Sequence, residues 1–248
     1  MVRLINSKFQ RVLPHLTKFK MIFADPPDNI GLGYEAYRDD LPSLAYEQLL
    51  REILWLSRDK CEILWLSFNA VHLPRMGFLV HDFLKDGCWE FKAGIQIFTF
   101  GQHNKHDLGN NHRPLWRLKR ENAVLYPDAI RVPSWRQLHG DKRANPEGRV
   151  PGDVFDFPRV VGNSKQRRRW HPTQLHEGLY ERCVKLSCAP EEGVCDLFAG
   201  TGTLGRVCEE TGNPCTMIEL DSRYCENIAK EQDLQYSPNS YWDEWSRE

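Results

Sequence analysis

Residues 196–205 read DLFAGTGTLG and follow the apolar run GVC. A strand that ends at Phe198 feeds a tight turn, in which Gly200 and Gly202 admit backbone angles closed to other residues and let a ligand approach the main chain. The helix expected after Gly202 points its N-terminus at that ligand, and a side chain at Gly202 is expected to crowd the loop. Such turns serve many nucleotide-like ligands and also occur as plain structure. The next strand candidate, PCTMIEL, puts Glu219 at its end, 17 residues after Gly202. A carboxylate one βα unit beyond a glycine turn can take both hydroxyls of a ribose. The pair indicates a ribose-bearing ligand and does not separate a nicotinamide cofactor from S-adenosylmethionine.

Outward from this turn, the chain alternates strands and helices. SLAYEQLLREILWLSRD (43–59) has apolar positions at helical spacing, with Ser43 placed to cap it. CEILWLS (61–67) reads as a buried strand, residues 69–87 as a helix disturbed near Pro74, and FKAGIQIFTF (91–100) as another strand. Towards the other end come a helix in TQLHEGLYERCVKLS, the strand GVCDLF, a helix after Gly202, the strand PCTMIEL and a helix after Asp221. This alternation predicts an α/β fold with a parallel sheet. Between 101 and 169 the periodicity fails, and only RPLWRL and AVLY suggest short strands. The expected organisation is therefore an N-terminal part (1–100), a loop-rich insertion (101–169), a C-terminal part (170–232) and a tail (233–248) whose Trp and Tyr could dock on the body.

The net charge of −1 averages over two unlike regions. Residues 113–169 hold 14 Lys and Arg against 6 Asp and Glu, and residues 189–248 hold 4 against 13. A basic middle suggests a polyanion contacting that segment, against the alternative of a solvated charged surface. No apolar run approaches the length of a membrane span, none of the 8 cysteines stands in C-x-x-C spacing, and a cytoplasmic protein with free thiols is expected. His103, His106, Asp107 and His112 cluster, but without the helical spacing or accompanying Cys of a zinc site, so no metal is expected.

FADPPDNIGLGY (23–34) is the second informative stretch. Pro26 cannot continue a strand ladder and biases Asp25 towards extended backbone. The result is a rigid strand exit offering acceptors, the Asp25 carboxylate and bare carbonyls, to something that donates hydrogen bonds.

Four segments in order, DPPD (25–28), HPTQ (171–174), DLFAGTG (196–202) and IELDSRY (218–224), resemble the amino-directed DNA methyltransferases of the β arrangement, and GDVFDFPRV (152–160) resembles the segment these enzymes carry before HPTQ. The resemblance covers nearly the whole chain. It implies a Rossmann-like S-adenosylmethionine-dependent fold, a mostly parallel sheet with helices on both faces, carrying an inserted recognition segment. It implies methyl transfer from S-adenosylmethionine to an exocyclic amine in double-stranded DNA, with N6 of adenine favoured by Asp-Pro-Pro over the Ser-Pro-Pro frequent in cytosine enzymes. Asp25, Pro26, Pro27 and Asp28 would form the catalytic loop. Asp196, Phe198, Gly200, Thr201, Gly202 and Glu219 would hold the cofactor, with Thr173 and Gln174 capping a helix and touching its amino-acid end.

A base inside a duplex must be flipped out and stacked. The family usually has an aromatic residue where this chain has Asp28, so Tyr34 and Tyr37 are the stacking candidates, and Asp28 itself could simply stabilise the DNIG turn. After HPTQ the family commonly continues Lys-Pro, and here Leu175 and His176 follow. An acidic contact to the cofactor adenine is not evident in RLINSKFQ (3–10). Arg131, Arg136, Lys142, Arg143, Arg167, Arg168 and Arg169 suit phosphate and base contacts. Rival expectations are an N4-cytosine, RNA or protein amine acceptor, or a silent DNA-binding relative. A homodimer and a cognate restriction enzyme are further partners consistent with the resemblance.

Overall fold

The computed structural model describes residues 1–34, 36–98 and 104–237. Nine strands among them form one sheet: β1 (Val2–Asn6), β2 (Phe19–Ala24), β3 (Cys61–Ser67), β4 (Trp89–Ile97), β5 (His112–Arg120), β6 (Val154–Asp156), β7 (Val194–Asp196), β8 (Cys215–Glu219) and β9 (Tyr236–Ser237). Their spatial order is β6-β4-β5-β3-β2-β7-β8-β1-β9. Only β5 runs antiparallel to its neighbours, β3 and β4; the other pairings are parallel. The helices are α1 (Phe9–Val12), α2 (Ser43–Arg58), α3 (Leu73–Phe83), α4 (Trp135–Leu138), α5 (Glu177–Ser187), α6 (Thr203–Thr211) and α7 (Ser222–Gln232).

Strand period two decides what each face buries. On β2, Ile22 and Ala24 join Leu64 and Leu66 of β3 beneath α2 and α3, packed on Leu50, Ile53, Leu54, Leu79 and Phe83. Met21 and Phe23 face the other way, joining Ile63 and Trp65 against Leu179 and Val184 of α5, Leu204 and Val207 of α6 and Ile228 of α7. Both faces are covered, so the central strands are apolar without alternation, as parallel strands require. β2 and β7 are neighbours although some 170 residues separate them in sequence, with Phe23 opposite Asp196. Their carboxyl ends open side by side, which places a ligand crevice there.

Several expectations are corrected. Residues 101–169 are not all insertion, because His112–Arg120 pairs along its whole length with β4 and forms an interior strand. RPLWRL lies in that strand; AVLY is irregular. Ser43 is the first residue of α2, not its cap; Pro42 holds that position without a side-chain bond, and Ser43 Oγ instead takes Arg75. The stretch read as one helix disturbed near Pro74 is a 3-10 turn, Ala70–His72, followed by α3, and Pro74 sits in the first turn of α3, where a missing N–H costs little. β1, unread in the sequence, pairs with β8. Of the tail, Tyr236–Ser237 pairs with β1, and residues 238–248 lie outside the described residues. Among the described residues no helix is long and apolar enough to cross a membrane.

Candidate active site

The D-P-P loop leaves β2 and is fixed by bonds to its backbone. Tyr46 of α2 donates to the Pro27 carbonyl (2.8 Å) and His72 Nε2 to the Asp28 carbonyl (2.6 Å). Asp39, itself buried, gathers the N–H groups of Asn29, Ile30 and Leu32, while Asn29 exchanges bonds with Leu41. Asn29 adopts a left-handed φ of 54°, which Asn tolerates. Among the described residues no N–H or O–H group donates to the Pro26 carbonyl, so this carbonyl of the loop stays available.

Arg113 of β5 binds the loop from the side. Its Nη2 donates to Asp25 Oδ1 (2.7 Å), Nη1 to Asp28 Oδ2 (2.8 Å) and Nε to Ser67 Oγ (2.7 Å). Burial pushes the Asp25 carboxyl above its ordinary range, Arg113 works against this, and Asp28 reinforces it. The shift is upward because the burial of the carboxyl outweighs the attraction of the guanidinium. Asp28 is buried and its Oδ1 has no partner. The position where an aromatic was expected thus holds an ion pair.

The glycine turn lies beside this loop. Gly200 (φ 54°) and Gly202 (φ 68°) are both left-handed. A Cβ on Gly200 would come within 3.2 Å of His171 Nε2, at the cavity wall. At Gly202 the crowding comes from elsewhere than expected: a Cβ would strike Gln232 and lie 2.8 Å from Ile228 Cγ2, both on α7. Gly202 therefore seats the loop on α7 and does not face the cavity. Asp196 lies beneath, accepting from Phe198 N (3.1 Å), with Oδ2 unpartnered and its carboxyl pushed up to about 8, chiefly by burial. Glu219 faces the cavity, one oxygen accepting from Gly200 N (2.8 Å) and the other from Asp221 N (2.9 Å). Burial pushes its carboxyl up to about 7 against these two N–H groups, which favour the charged form.

HPTQ forms a bridge over the cavity. His171, buried and pushed down to about 4 by desolvation, is neutral; its Nδ1 donates to the Thr173 carbonyl (2.5 Å). Thr173 Oγ1 meets Tyr34 Oη (3.4 Å), and Gln174 ties Arg168 N (2.9 Å) and the Gln166 carbonyl (2.7 Å) to the start of α6 through Thr203 (3.4 Å). Neither residue caps α5; His176 does, accepting from Gly178 N (3.0 Å). Thr201 bonds Thr203 (2.7 Å), and Phe198 packs edge-on against Phe9. Tyr34 stands edge-on to Tyr37 and His171, and the Tyr37 hydroxyl is buried without a partner.

These pieces line one cavity of about 1080 Å³, which takes in Asp25 to Asp28, Tyr34, Tyr37, Thr173, Gln174, Phe198, Gly200, Thr201 and Glu219. Arg113, Asp221 and the stretch Ser7 to Gln10, to which sequence reading assigned no role in the site, also line it. The parallel pairing of β1 with β8 brings that stretch beside Glu219, where Ser7 N donates to the Glu219 carbonyl (2.9 Å) and Ser7 Oγ is buried without a partner.

The basic residues fare unequally. Arg168 is paired with Glu231, Arg143 with Asp141 (3.0 Å) and Arg131 with Asp128 (2.7 Å), while Arg167 donates to the Arg168 and Pro172 carbonyls. Arg136, Lys142 and Arg169 are exposed. Of the histidine cluster, His103 lies outside the described residues, and among the described ones no group of three or more His, Cys, Asp or Glu is arranged to hold a metal.

The sequence profile of a family described as DNA methylase, acting at N6 or N4, matches residues 19–231. The chain is 30% identical over 226 residues to the DNA adenine methyltransferase YhdJ of Escherichia coli, covering 82% of this chain and 72% of that one. It is 27% identical over 232 residues to the type II methyltransferase M.ScaI of Streptomyces caespitosus, covering 83% and 72%. The fold also matches the crystal structure of the M1.HpyAVI–SAM complex, with a TM-score of 0.64, 16% identity and coverage of 94% and 100%. A strand-end carboxylate and a glycine turn sharing one cavity, with a family match spanning both, lead to one conclusion: the chain belongs to the N6/N4 family of DNA methylases, enzymes that use S-adenosylmethionine to methylate an exocyclic amine of a DNA base.

Proposed function

We propose that this enzyme methylates N6 of adenine in duplex DNA, and that Asp25 and the Pro26 carbonyl receive the target amine. The observation that carries the reading is the shared cavity, in which the D-P-P exit of β2 and the Gly200–Glu219 edge of β7 and β8 stand side by side. Asp-Pro-Pro in place of Ser-Pro-Pro, and the adenine named for YhdJ, favour adenine over cytosine.

The residues present fit S-adenosylmethionine. The left-handed Gly200 leaves its wall open, Glu219 offers a carboxylate at the edge where ribose hydroxyls would sit, and the buried hydroxyl of Ser7 beside it lacks a partner. Glu219 and Gly200 would hold the ribose side, with Thr173, Thr201 and Phe198 along the remainder. The bound cofactor supplies an activated methyl group. The Asp25 carboxylate and Pro26 carbonyl accept the two N–H bonds of the amine, holding it pyramidal with its lone pair free, and this positioning supplies much of the rate. Tyr34 and Tyr37 offer ring faces for the extruded base.

The test is tritiated methyl transfer to unmethylated duplex DNA, followed by nucleoside analysis. Label in N6-methyladenine is expected; label in N4-methylcytosine would overturn the base assignment. One observation favours a second reading, a silent DNA-binding relative: Arg113 already occupies Asp25. DNA binding without any transfer would select it.

Glu219 gives a pH expectation. It keeps its proton up to about pH 7 in the free protein, and ribose hydroxyls donate to its ionised form. S-adenosylmethionine affinity should therefore rise as pH passes upward through 7, with proton release on binding, and Glu219→Gln should remove both. Its raised carboxyl also favours the folded state below the ordinary value of 4.5, a contribution lost as pH rises to about 7. Calorimetry in buffers of different ionisation enthalpy reads the released proton, and equal heats in all of them would contradict the assignment.

For DNA, replacing the exposed Arg136, Lys142 and Arg169 by Ala should cut the slope of log affinity against log salt by about 2 to 3, at roughly 0.9 per phosphate contact. The Glu231-paired Arg168 should change it by less. An unchanged slope in the triple variant would remove these residues from the interface.

A further inference from the structure

Arg113 reaches the D-P-P loop from the one antiparallel strand of the sheet and connects three segments: the β2 exit, the end of β3 and β5. Its side chain is 17% exposed, those of Asp25 and Asp28 20% and 10%. A guanidinium on Asp25 Oδ1 competes with a target amine, since it draws on the charge and fixes the orientation of the carboxylate that the amine would use. The fork is split, one N–H group going to each carboxylate, although a guanidinium can bind a single carboxylate at two points. Asp28 spends only Oδ2, and its Oδ1 is buried with no donor, a costly state for a charged acceptor.

We propose that Arg113 and Asp28 are a positioning pair: Arg113 holds Asp25 in place before the base arrives, then swings wholly onto Asp28 as Asp25 takes the amine. The orphaned Asp28 Oδ1 is the landing place for the N–H that leaves Asp25. Asp28 stands in the aromatic position because this loop needs a second anion there. The inference rests on the reading of Asp25 as the amine's acceptor. No bond is made or broken in the swap; one hydrogen bond is exchanged, and Arg113 stays charged throughout. The other groups that face Asp25 are Ser67 on β3, Asp196 on β7, Tyr180 on α5 and Tyr34 on the loop.

The test uses Asp28→Asn, Arg113→Gln and the double variant, with two readouts. The first is the titration of the Asp25 carboxyl by carbon-13 NMR, which needs no turnover. Asp28→Asn removes a neighbouring charge and leaves Arg113 on Asp25 alone, so the Asp25 titration moves down. Arg113→Gln leaves two carboxylates without a counter-charge, so it moves up, and the double variant lies between. The second is kcat and KM for DNA. Asp28→Asn lowers kcat by on the order of ten-fold with KM little changed, because the amine must now displace a fully committed guanidinium. The double variant recovers part of that loss, which a merely structural pair would not do. An unmoved Asp25 titration in Asp28→Asn, or losses in the double variant that multiply, would overturn the proposal. If the unaltered protein transfers no methyl to DNA, the acceptor reading fails by itself, and the titration still decides whether Asp28 and Arg113 act on Asp25 as a pair. Arg113→Lys serves if Arg113→Gln does not fold; with one point charge in place of a fork, it should hold Asp25 and still lose turnover.

Discussion

Asp25→Ala lowers the rate of methyl transfer to DNA by on the order of 10³-fold, while S-adenosylmethionine affinity stays within about three-fold of the unaltered protein. On the proposed reading the loss is that large because Ala removes the acceptor that would hold the amine pyramidal, and the Pro26 carbonyl alone would not orient it. The fold tolerates the change: Arg113 keeps Asp28 (2.8 Å) and Ser67 (2.7 Å), so no buried charge is stranded. Glu219 and Gly200 are bonded to each other and not to Asp25, which leaves the proposed cofactor edge intact. Single-turnover transfer of tritiated methyl measures the first part and calorimetry the second. Transfer within about ten-fold of the unaltered enzyme would remove Asp25 from the chemistry.

Gly202→Asp is expected to cost stability heavily and, through it, cofactor binding. The residue is left-handed, which costs a side chain of order 1 kcal/mol, and its Cβ would enter the side chains of Gln232 and Ile228. Gln232 would have to move, losing its bond to the Gly202 carbonyl (2.9 Å), and a carboxylate would be pressed against apolar surface. Together these amount to roughly 4 kcal/mol, or about 10 °C in melting temperature for a chain of this size. Gly200→Ala is the instructive contrast. Its Cβ meets His171 at 3.2 Å in the cavity wall, so cofactor affinity should fall, while melting should drop only by the share that a left-handed φ costs, of order 1 kcal/mol. Equal melting of the Gly202→Asp and unaltered proteins would contradict the packing of the loop on α7.

Much of the frame could be read from the chain because its signals are local. The limits of β3 follow from the apolar run CEILWLS, and the start of α6 from Gly202, which caps it. The D-P-P exit was legible because proline fixes backbone without help from the rest of the protein. Arg113 was not, because its role depends on the register of β5 against β3, which sets Leu115 opposite Ser67 and carries Arg113 past the strand end to Asp25. In sequence it is one of 14 basic residues in a stretch that invites a reading as DNA contacts. The pairing of Arg168 with Glu231, between segments far apart in the chain, was hidden for the same reason. Ser7 to Gln10 received no role because the acidic residue sought there is absent, and because β1 is only five residues long and joins the site through β8.

The adjacency of β2 and β7 has a consequence for how the protein is made. A ribosome delivers Phe23 long before Asp196, and at 5–20 residues per second the interval is about 10–35 s. Until then β3 can pair with one side of β2, while the other side is an open edge next to Met21 and Phe23, whose cover on α5 has not been synthesised. The nascent chain must carry an apolar strand with one open edge while some 170 further residues are made. Slow translation or scarce chaperone should therefore reduce yield before it affects any property of the finished enzyme.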